Sequence, residues 1–510
     1  LKKPAKPTAP RNLDKHHFEA GQQCARRLWL DLHQPAPEPS TARREEMSRV
    51  GDELRALART AFPMAVAVEA EDVATAAEQT AAALVEGAPV LFDAAFIADG
   101  VEARCDIFVV HKDKRVDLFE IKSGTKVKHR YVNDLALQAT VLAQNGYEMQ
   151  RAYLLHVNPT YAHTAGEDYP PMQLMRSSDV TQKVQKQLQN VAKKLKLSRQ
   201  TASRDAAPEV AMGMFCASPF ACPHMAACAA NAPALPLHRL PELTRAQESE
   251  LTAAGFHQLG DLPLDREGLT FRQRRTLQCH ERGERIIEDF VGEDLAECDR
   301  PLHFLSIASI TDPLPRFDLQ KPWQRTPYAW TVRTVHEDGR VETKSFAQLD
   351  KDDPRGAFVR SLARHLEMGG TAIVWGEDLM RELRGLLDSV PEEKGAVRTL
   401  LGQDLLDMRA LFEAGVFDPA LSRYADLSEV SALLLDDASG RDLEAASEDA
   451  RFELVHKARA PRVRSTTRDK IAASVTETLV WQAERMSELY DQFCGDPSAA
   501  AAPAAEPQPE

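Results

Sequence analysis

The chain contains no apolar run approaching the ~18 residues that cross a bilayer, and its basic, proline-rich start, LKKPAKPTAP, is followed by no apolar segment. A soluble, intracellular protein is expected, with no membrane partner. Cysteine is scarce as well: eight in 510 residues are too few for a disulfide framework, and the isolated position of Cys24 argues against one. A reducing cytoplasm is the expected compartment. No Cys-x-x-Cys pair occurs, the spacing that zinc sites usually use. Positive charge is in deficit, with 63 Lys+Arg against 77 Asp+Glu and a net charge of −14. The deficit is uneven. Residues 1–230 hold 29 basic against 27 acidic side chains, or +2, and the remainder 34 against 50, or −16. A near-neutral front can still present a basic groove to phosphates, so the net charge does not exclude nucleic acid. It does make the back half a poor candidate for the main DNA surface.

A chain of 510 residues with 43% apolar content can bury two to four cores. The first ten residues and the last sixteen (GDPSAAAAPAAEPQPE) carry Ala, Pro and charge without periodicity and are expected to be disordered. Within 41–61, Met47, Val50, Leu54, Leu57 and Ala58 recur at the spacing of an amphipathic helix. Three short β-branched and aromatic runs follow, Pro89–Ile97, Ala103–Val110 and Arg115–Lys122, and read as strands. A helix over Val132–Asn145 and a strand over Arg151–Val157 complete a pattern of helix, three strands, helix, strand. Over 180–199, Val184, Leu188, Val191 and Leu195 share one helix face, surrounded by Lys183, Lys186, Lys193, Lys194, Lys196 and Arg199. A solvated surface is expected there, with phosphate contact as the alternative.

Pro233, Pro236 and Pro241 mark a linker, and 243–263 reads as a helix leading into a short helix-turn-helix-like element, with DNA gripping as a minor reading. Beyond Arg300, strands at His303–Ile310, Ala329–Val335 and Ala372–Trp375 alternate with helices at Arg355–Leu366 and Asp378–Leu387. A long helix, Asp469–Phe493, closes this separate α/β domain. The expected organisation is a disordered segment over 1–17, an α/β domain over 18–230, a linker and helical region over 231–299, a second α/β domain over 300–493 and a disordered tail over 494–510.

Chemistry concentrates in the front domain. Asp106 lies near the middle of one strand, while Glu120 and Lys122, two apart on the next, share a face. Two carboxylates brought together repel unless a cation neutralises them, and hard oxygen donors favour Mg²⁺ or Mn²⁺. Such an ion polarises a scissile phosphate, and Lys122 would orient or help deprotonate the attacking water and stabilise developing negative charge. Gln138, one helix further on, could hold the substrate backbone or a metal-bound water. Taken alone, Glu-x-Lys on a strand is also what a surface ion pair looks like. Cys24, in CARRLWL, and the evenly spaced Cys216, Cys222 and Cys228, in FCASPFACPHMAAC, supply four thiolates. These suit an iron–sulfur cluster or zinc, and either would fasten the N-terminal segment to the end of the domain. Cys105, Cys279, Cys298 and Cys494 show no partner pattern and read as ordinary buried or free thiols.

Taken in order, Cys24-x-Arg-x-Leu-Trp-Leu, Cys105-Asp106, Glu120-Ile-Lys-Ser-Gly, Asp134-Leu-Ala-Leu-Gln138 and the three closing cysteines resemble the RecB-like nucleases of the PD-(D/E)XK superfamily. The iron–sulfur branch matches best, that of the CRISPR-adaptation exonucleases and the AddB nuclease domain. The resemblance covers roughly residues 18–230. It implies a mixed sheet flanked by helices and metal-dependent DNA cleavage, with Asp106, Glu120 and the main-chain carbonyl of Ile121 as metal ligands. Lys122 is then the catalytic lysine, Gln138 the glutamine of the trailing helix, and Cys24, Cys216, Cys222 and Cys228 the ligands of a 4Fe-4S cluster. One departure is Leu142, where the family often has an aromatic residue four positions after that glutamine. Asp93, on the preceding strand, is a further candidate acid.

The strand Pro301–Ile310 and the segment from Trp323 to Trp330 resemble a DnaQ-like exonuclease domain with an RNase H-like α/β fold. Active members carry Asp-x-Glu on the first strand, and here those positions hold Ser306 and Ala308. Glu377 or Asp378 is the only replacement near the next motif, and Asp407 and Glu484 are candidate remnants of the later ones. Such scattered acids do not make a two-metal site, so an inactive domain is expected, one that binds substrate, a protein partner or a second copy of the chain. The expected function is a metal-dependent DNA nuclease acting on single strands or DNA ends in repair or defence against foreign DNA. The alternative is a non-catalytic DNA-binding or scaffolding subunit.

Overall fold

The computed structural model describes residues 12–36, 42–230, 232–376, 378–421, 426–435 and 443–495. The expected disordered ends fall largely outside this set, as does Glu377. The described residues begin at Asn12, ahead of the expected domain start at 18. Leu13 is buried, and its N–H donates to the Gly100 carbonyl at 2.9 Å. Asp14 caps the first helix by accepting from the His17 N–H at 2.8 Å. A buried leucine and a helix cap are two local features that composition alone does not signal. At the other end, Cys494 is ordered, donating its N–H to the Tyr490 carbonyl at 2.8 Å. No described helix is long and apolar enough to cross a membrane.

Contacts divide the chain into two compact units, residues 1–40 with 44–232, and 41–43 with 233–510. The first contains α1 (Lys15–Gln23), α2 (Ala25–His33), α3 (Ala42–Arg59), β1 (Val66–Ala67), α4 (Val73–Val85), β2 (Val90–Ala98), β3 (Val101–Val110), β4 (Arg115–Lys122), α5 (His129–Gln144), β5 (Glu148–Val157), α6 (Pro171–Leu174), β6 (Met175–Asp179), α7 (Thr181–Ala202) and α8 (Met225–Ala229). Its sheet runs β1-β2-β3-β4-β5-β6, with β1–β2 and β4–β5 parallel and the other neighbours antiparallel. This is a mixed sheet flanked by helices; the expected helix, three strands, helix and strand are α3, β2–β4, α5 and β5, with β1 and α4, not expected, between α3 and β2.

The amphipathic stripe of α3 buries Val50, Leu54 and Ala58. α5 starts three residues before the expected Val132 and is enclosed so completely that Asn133, Asp134 and Gln138 are buried with the apolar positions. Polar groups sealed in this way need partners. Those partners form the candidate site.

The second unit opens with α9 (Arg245–Ala253), α10 (Phe271–Arg282), β7 (Ile286–Ile287) and α11 (Asp289–Ala296). Its main elements are β8 (Leu302–Thr311), β9 (Arg325–Val335), β10 (Val341–Ala347), α12 (Arg355–Leu366), β11 (Thr371–Val374), α13 (Asp378–Ser389), α14 (Lys394–Leu401), β12 (Leu405–Asp407), α15 (Met408–Gly415), β13 (Val416–Phe417), α16 (Leu427–Leu434), α17 (Glu448–Arg459) and α18 (Ser465–Phe493). The sheet order is β10-β9-β8-β11-β12, antiparallel from β10 to β8 and parallel from β8 to β12.

The expected helix-turn-helix over 243–263 is not formed. After α9 the chain makes only a single 3₁₀ turn, Leu259–Asp261, and the next helix is α10. Thr270 caps α10 through the Gln273 N–H at 3.2 Å, which moves the helix start past Pro263. Three of the four arginines of α10 are engaged: Arg272 pairs with Glu242 at 3.2 Å and Arg275 with Glu288 at 2.6 Å, while Arg274 donates to the Leu264 carbonyl. Arg282, in the last turn, is exposed.

Glu382 of α13 is buried, accepts from the Ser309 hydroxyl at 2.7 Å and lies 3.2 Å from Arg325. Burial pushes its carboxyl up to about 7 against these partners. A raised carboxyl binds its proton more tightly folded than unfolded, so it lowers stability as pH rises from the unfolded value towards 7. Glu382→Gln keeps an acceptor for Ser309, and Arg325 retains Asp378 at 3.0 Å. The expected result is a gain of about 1–3 kcal/mol at pH 8 that vanishes near pH 4.5, read as thermal midpoints at the two pH values.

Candidate active site and cysteine cluster

Strand register brings the front carboxylates together. Ile107 of β3 pairs with Phe119 of β4, which sets Asp106 opposite Glu120 at the end of the ladder. Asp106 Oδ2 accepts from the Ile121 N–H at 2.7 Å. In an extended strand one residue's N–H and C=O point to the same side, so the Ile121 carbonyl also faces Asp106. Glu120 is 2% exposed. Its Oε1 accepts from Lys122 Nζ at 2.6 Å and its Oε2 from Gln138 Nε2 at 2.7 Å, with Lys15 Nζ at 3.6 Å. The four predicted side chains and the Ile121 backbone therefore meet at one place.

That place is one wall of a cavity of about 560 Å³ lined by Asp93, Asp106, Glu120, Asp134 and Gln138. Facing these acids in the lining are Arg55 and Arg59, four apart on α3, with Lys15 of α1. Burial raises the Asp106 carboxyl well above its usual range, and the Glu120 charge adds to the rise. Burial acts on Glu120 in the same direction, but the charges of Lys122 and Lys15 and the hydrogen bonds from Lys122 and Gln138 overcome it and hold this carboxyl low. Lys122 is raised: burial would lower it, and the carboxylates of Glu120 and Asp134 prevail. Its Nζ also donates to Asp134 Oδ2 at 3.1 Å and lies 5.1 Å from the Tyr131 ring centroid.

Asp93 carries backbone strain at this wall. Its φ of 55° is a left-handed conformation unusual for a strand residue. Phe92 pairs with Ile107 and Ala94 with Cys105, so Asp93 stands opposite Asp106. Arg59 binds its carboxylate. Leu91, Ala94 and Phe96 all enter one core, a break in the strict two-residue alternation of a strand that coincides with the left-handed residue.

Sequence reading had not assigned site roles to Lys15, Arg55, Arg59 and Asp134. Lys15 belonged to the segment over 1–17 that was expected to be disordered. Arg55 and Arg59, and likewise Asp134 and Gln138, are pairs four apart, a helical spacing that was available as a signal.

The fit of a divalent ion can be judged from the donors. Asp106 and Glu120 are close carboxylates in a buried wall, and Asp134 Oδ1 and Gln138 Oε1 are buried oxygens without a hydrogen-bond partner. Unsatisfied hard acceptors beside paired acids fit Mg²⁺ or Mn²⁺ with its waters.

The four cysteines also converge. Cys24 joins α1 to α2, Cys216 ends a 3₁₀ turn, the Cys222 N–H donates to the Cys216 carbonyl at 2.8 Å, and Cys228 lies in α8. All four line one small hollow with Leu30, Phe215 and Met225. His224 borders it too, with its Nε2 held by Asp31 at 2.7 Å. A set of four thiols fits an iron–sulfur cluster or zinc. Cys105 and Cys279 are buried apart from it.

In the second unit the expected acids are replaced or otherwise employed. The Ser306 hydroxyl donates to Gln482, and Ala308 is buried. Asp407 caps α15 through the Ala410 N–H at 3.2 Å and accepts from Gly376 N–H at 2.9 Å. Asp378 pairs with Arg325 and Arg381, and Glu484 is half-buried on α18.

No curated protein and no solved structure matches the chain. Residues 303–424, less than half of it, are similar to a family described as "Domain of unknown function (DUF2779)".

Proposed function

We propose that the front unit is a metal-dependent DNA nuclease of the PD-(D/E)XK type. The observation that carries this reading is the convergence of Asp106, Glu120 and Gln138 on a single cavity also lined by Arg55 and Arg59, with Lys122 bonded to Glu120 in its wall. Asp106, Glu120 and the Ile121 carbonyl would hold Mg²⁺ or Mn²⁺, which when bound supplies Lewis-acid polarisation of a phosphodiester. Lys122 donates to two carboxylates, as an ammonium does. Its assigned role is to orient the attacking water and stabilise negative charge, and the base role considered from sequence is dropped. Gln138 holds Glu120 in its rotamer and offers Oε1 towards the cavity. Arg55 and Arg59 pair with Asp52 and Asp93, and in this reading they exchange those carboxylates for the phosphate oxygens of the substrate.

The cysteine set is read as a 4Fe-4S staple, with zinc as the alternative metal. The second unit is read as an RNase H-like domain of DnaQ type, a reading supported by its sheet order. Its neutral Ser306–Gln482 pair supports an inactive one. Substrate or partner binding is its remaining role. Single strands or DNA ends are the proposed substrate, and repair or defence the proposed setting.

The test uses protein purified without oxygen and end-labelled single- and double-stranded DNA. Cleavage in Mg²⁺ or Mn²⁺ that stops in EDTA and resumes when Mn²⁺ is restored is the expected result. Folded, metal-loaded protein that binds DNA and never cuts it would favour the scaffolding subunit.

A further inference from the structure

The loop that carries Lys122 into α5 reads Lys122-Ser-Gly-Thr-Lys-Val-Lys-His-Arg130, and no acidic residue occurs from Ile121 to Asn133. Lys126, Lys128 and His129 are exposed. Among the described residues, no ion pair with a carboxylate involves Lys126, Lys128 or Arg130. Gly124 permits the loop's course: a Cβ there would stand 3.2 Å from the Tyr131 hydroxyl.

Phe220 meets this loop from the cysteine segment. It lies between Cys216 and Cys222, and at 53% exposure it is one of the chain's large solvent-facing apolar side chains. Its backbone is not loose, because Gln23 Nε2 donates to the Phe220 carbonyl at 2.8 Å and to the Phe215 carbonyl at 2.6 Å. The Arg130 guanidinium sits 4.7 Å from the Phe220 ring centroid and 5.0 Å from that of Tyr131, and Lys122 Nζ lies 5.1 Å from the same Tyr131 ring. Cations and rings thus alternate without a gap from the proposed catalytic lysine to an open aromatic face.

An exposed ring on a pinned backbone, backed by a guanidinium and flanked by exposed lysines, one of them 6.0 Å from the Tyr131 ring centroid, is the chemistry that binds single-stranded nucleic acid. A base stacks on the ring, and the cations take its phosphates. We propose that Phe220 and Arg130, with Lys126 and Lys128, form a base-stacking platform that selects single-stranded over double-stranded DNA next to the cleavage position. For its substrate this rests on the nuclease reading. A base inside a duplex is stacked on its neighbours and offers no free face to Phe220, so discrimination follows from the geometry. The cysteine site acquires a second role, since the loop it holds presents the platform to the substrate.

The experiment measures binding without turnover. The full chain, purified anaerobically, is titrated in Ca²⁺ with a labelled oligothymidylate and with a labelled blunt hairpin duplex, beside Phe220→Leu and Phe220→Trp. Phe220→Leu retains apolar bulk and removes the ring, and bound iron and zinc are measured in every preparation to show that the cysteine site is intact. Phe220→Leu is expected to weaken single-strand binding about 5- to 100-fold and duplex binding less than twofold, and Phe220→Trp is expected to bind as the wild type does. Unchanged single-strand affinity in Phe220→Leu, or equal losses on both DNAs with metal retained, would overturn the platform. The nuclease reading fails separately: Phe220-dependent single-strand binding by a protein that never cuts in Mn²⁺ contradicts that reading alone. Cutting with Phe220→Leu equal to wild type in single-strand affinity contradicts the platform alone.

Discussion

Lys122→Ala is expected to lower DNA cleavage by about 10²–10⁴-fold while binding of the same DNA in Ca²⁺ stays within a few-fold of wild type. The reason is local. Lys122 Nζ is within 2.6 Å of Glu120 and 3.1 Å of Asp134, too deep in the wall to contribute much to long-range attraction of the strand, yet beside the carboxylate that would hold the metal. The same depth has a stability consequence. Removing the ammonium leaves two buried carboxylates without their shared cation, and breaking a buried charge pair costs about 3–5 kcal/mol. Lys122→Gln separates the two effects, because an amide still donates hydrogen bonds to both acids. Loss of cleavage in both variants, with the thermal midpoint lowered mainly in Lys122→Ala, is the expected pattern. A Lys122→Gln enzyme that cuts at the wild-type rate would remove this residue from the chemistry.

Cys222→Ser is expected to lose the metal of the cysteine site and to lower the melting temperature of the front unit by about 5–15 °C, at about 2–4 °C for each kcal/mol of staple lost. Cys24 lies nearly two hundred positions before its partners, so the site ties α1 and α2 to the segment that closes the unit. Lys15, on that same α1, contributes to the cavity, and loss of the staple should therefore weaken DNA cleavage as well as stability. Cys298→Ser, outside the hollow, serves as the control and should change neither metal content nor melting. Iron and acid-labile sulfide in the wild type would establish the cluster; one zinc ion per chain would establish the alternative.

The elements that position the site were legible because they obey local rules. Glu120 and Lys122 are two apart on a β-branched and aromatic run, so they share a face wherever that run becomes a strand. The distribution of the cysteines pointed to one site, and all four line one hollow. What escaped was set by packing or by backbone conformation. Asp134 became a site residue only because α5 is enclosed against the sheet and its polar face is sealed in. Asp93 was a candidate acid from sequence, but its left-handed backbone leaves no trace in composition. The placement of Leu13 inside the front unit depends on its bridge to Val101 and its burial, a long-range contact. The second helix of the supposed hairpin was misplaced because Thr270, with Gln273 three residues on, is a stronger start signal than the Gln258–Asp261 turn. In the second unit, strands and helices followed from alternation, while the engagement of Ser306 with Gln482, remote in sequence, required the fold.

The measurement that bears most directly on the whole account is single-turnover cleavage of a 5′-labelled single strand by anaerobically purified wild type in Mn²⁺, beside Asp106→Asn prepared identically. Asp106 is the test because its carboxylate, proposed as a metal donor, lies opposite Glu120 and accepts from the Ile121 N–H, and asparagine keeps its shape. The account predicts a ladder of shortened products from the wild type and intact DNA from the variant. Equal ladders from both proteins, or intact DNA from a folded wild type that binds the strand, would contradict it.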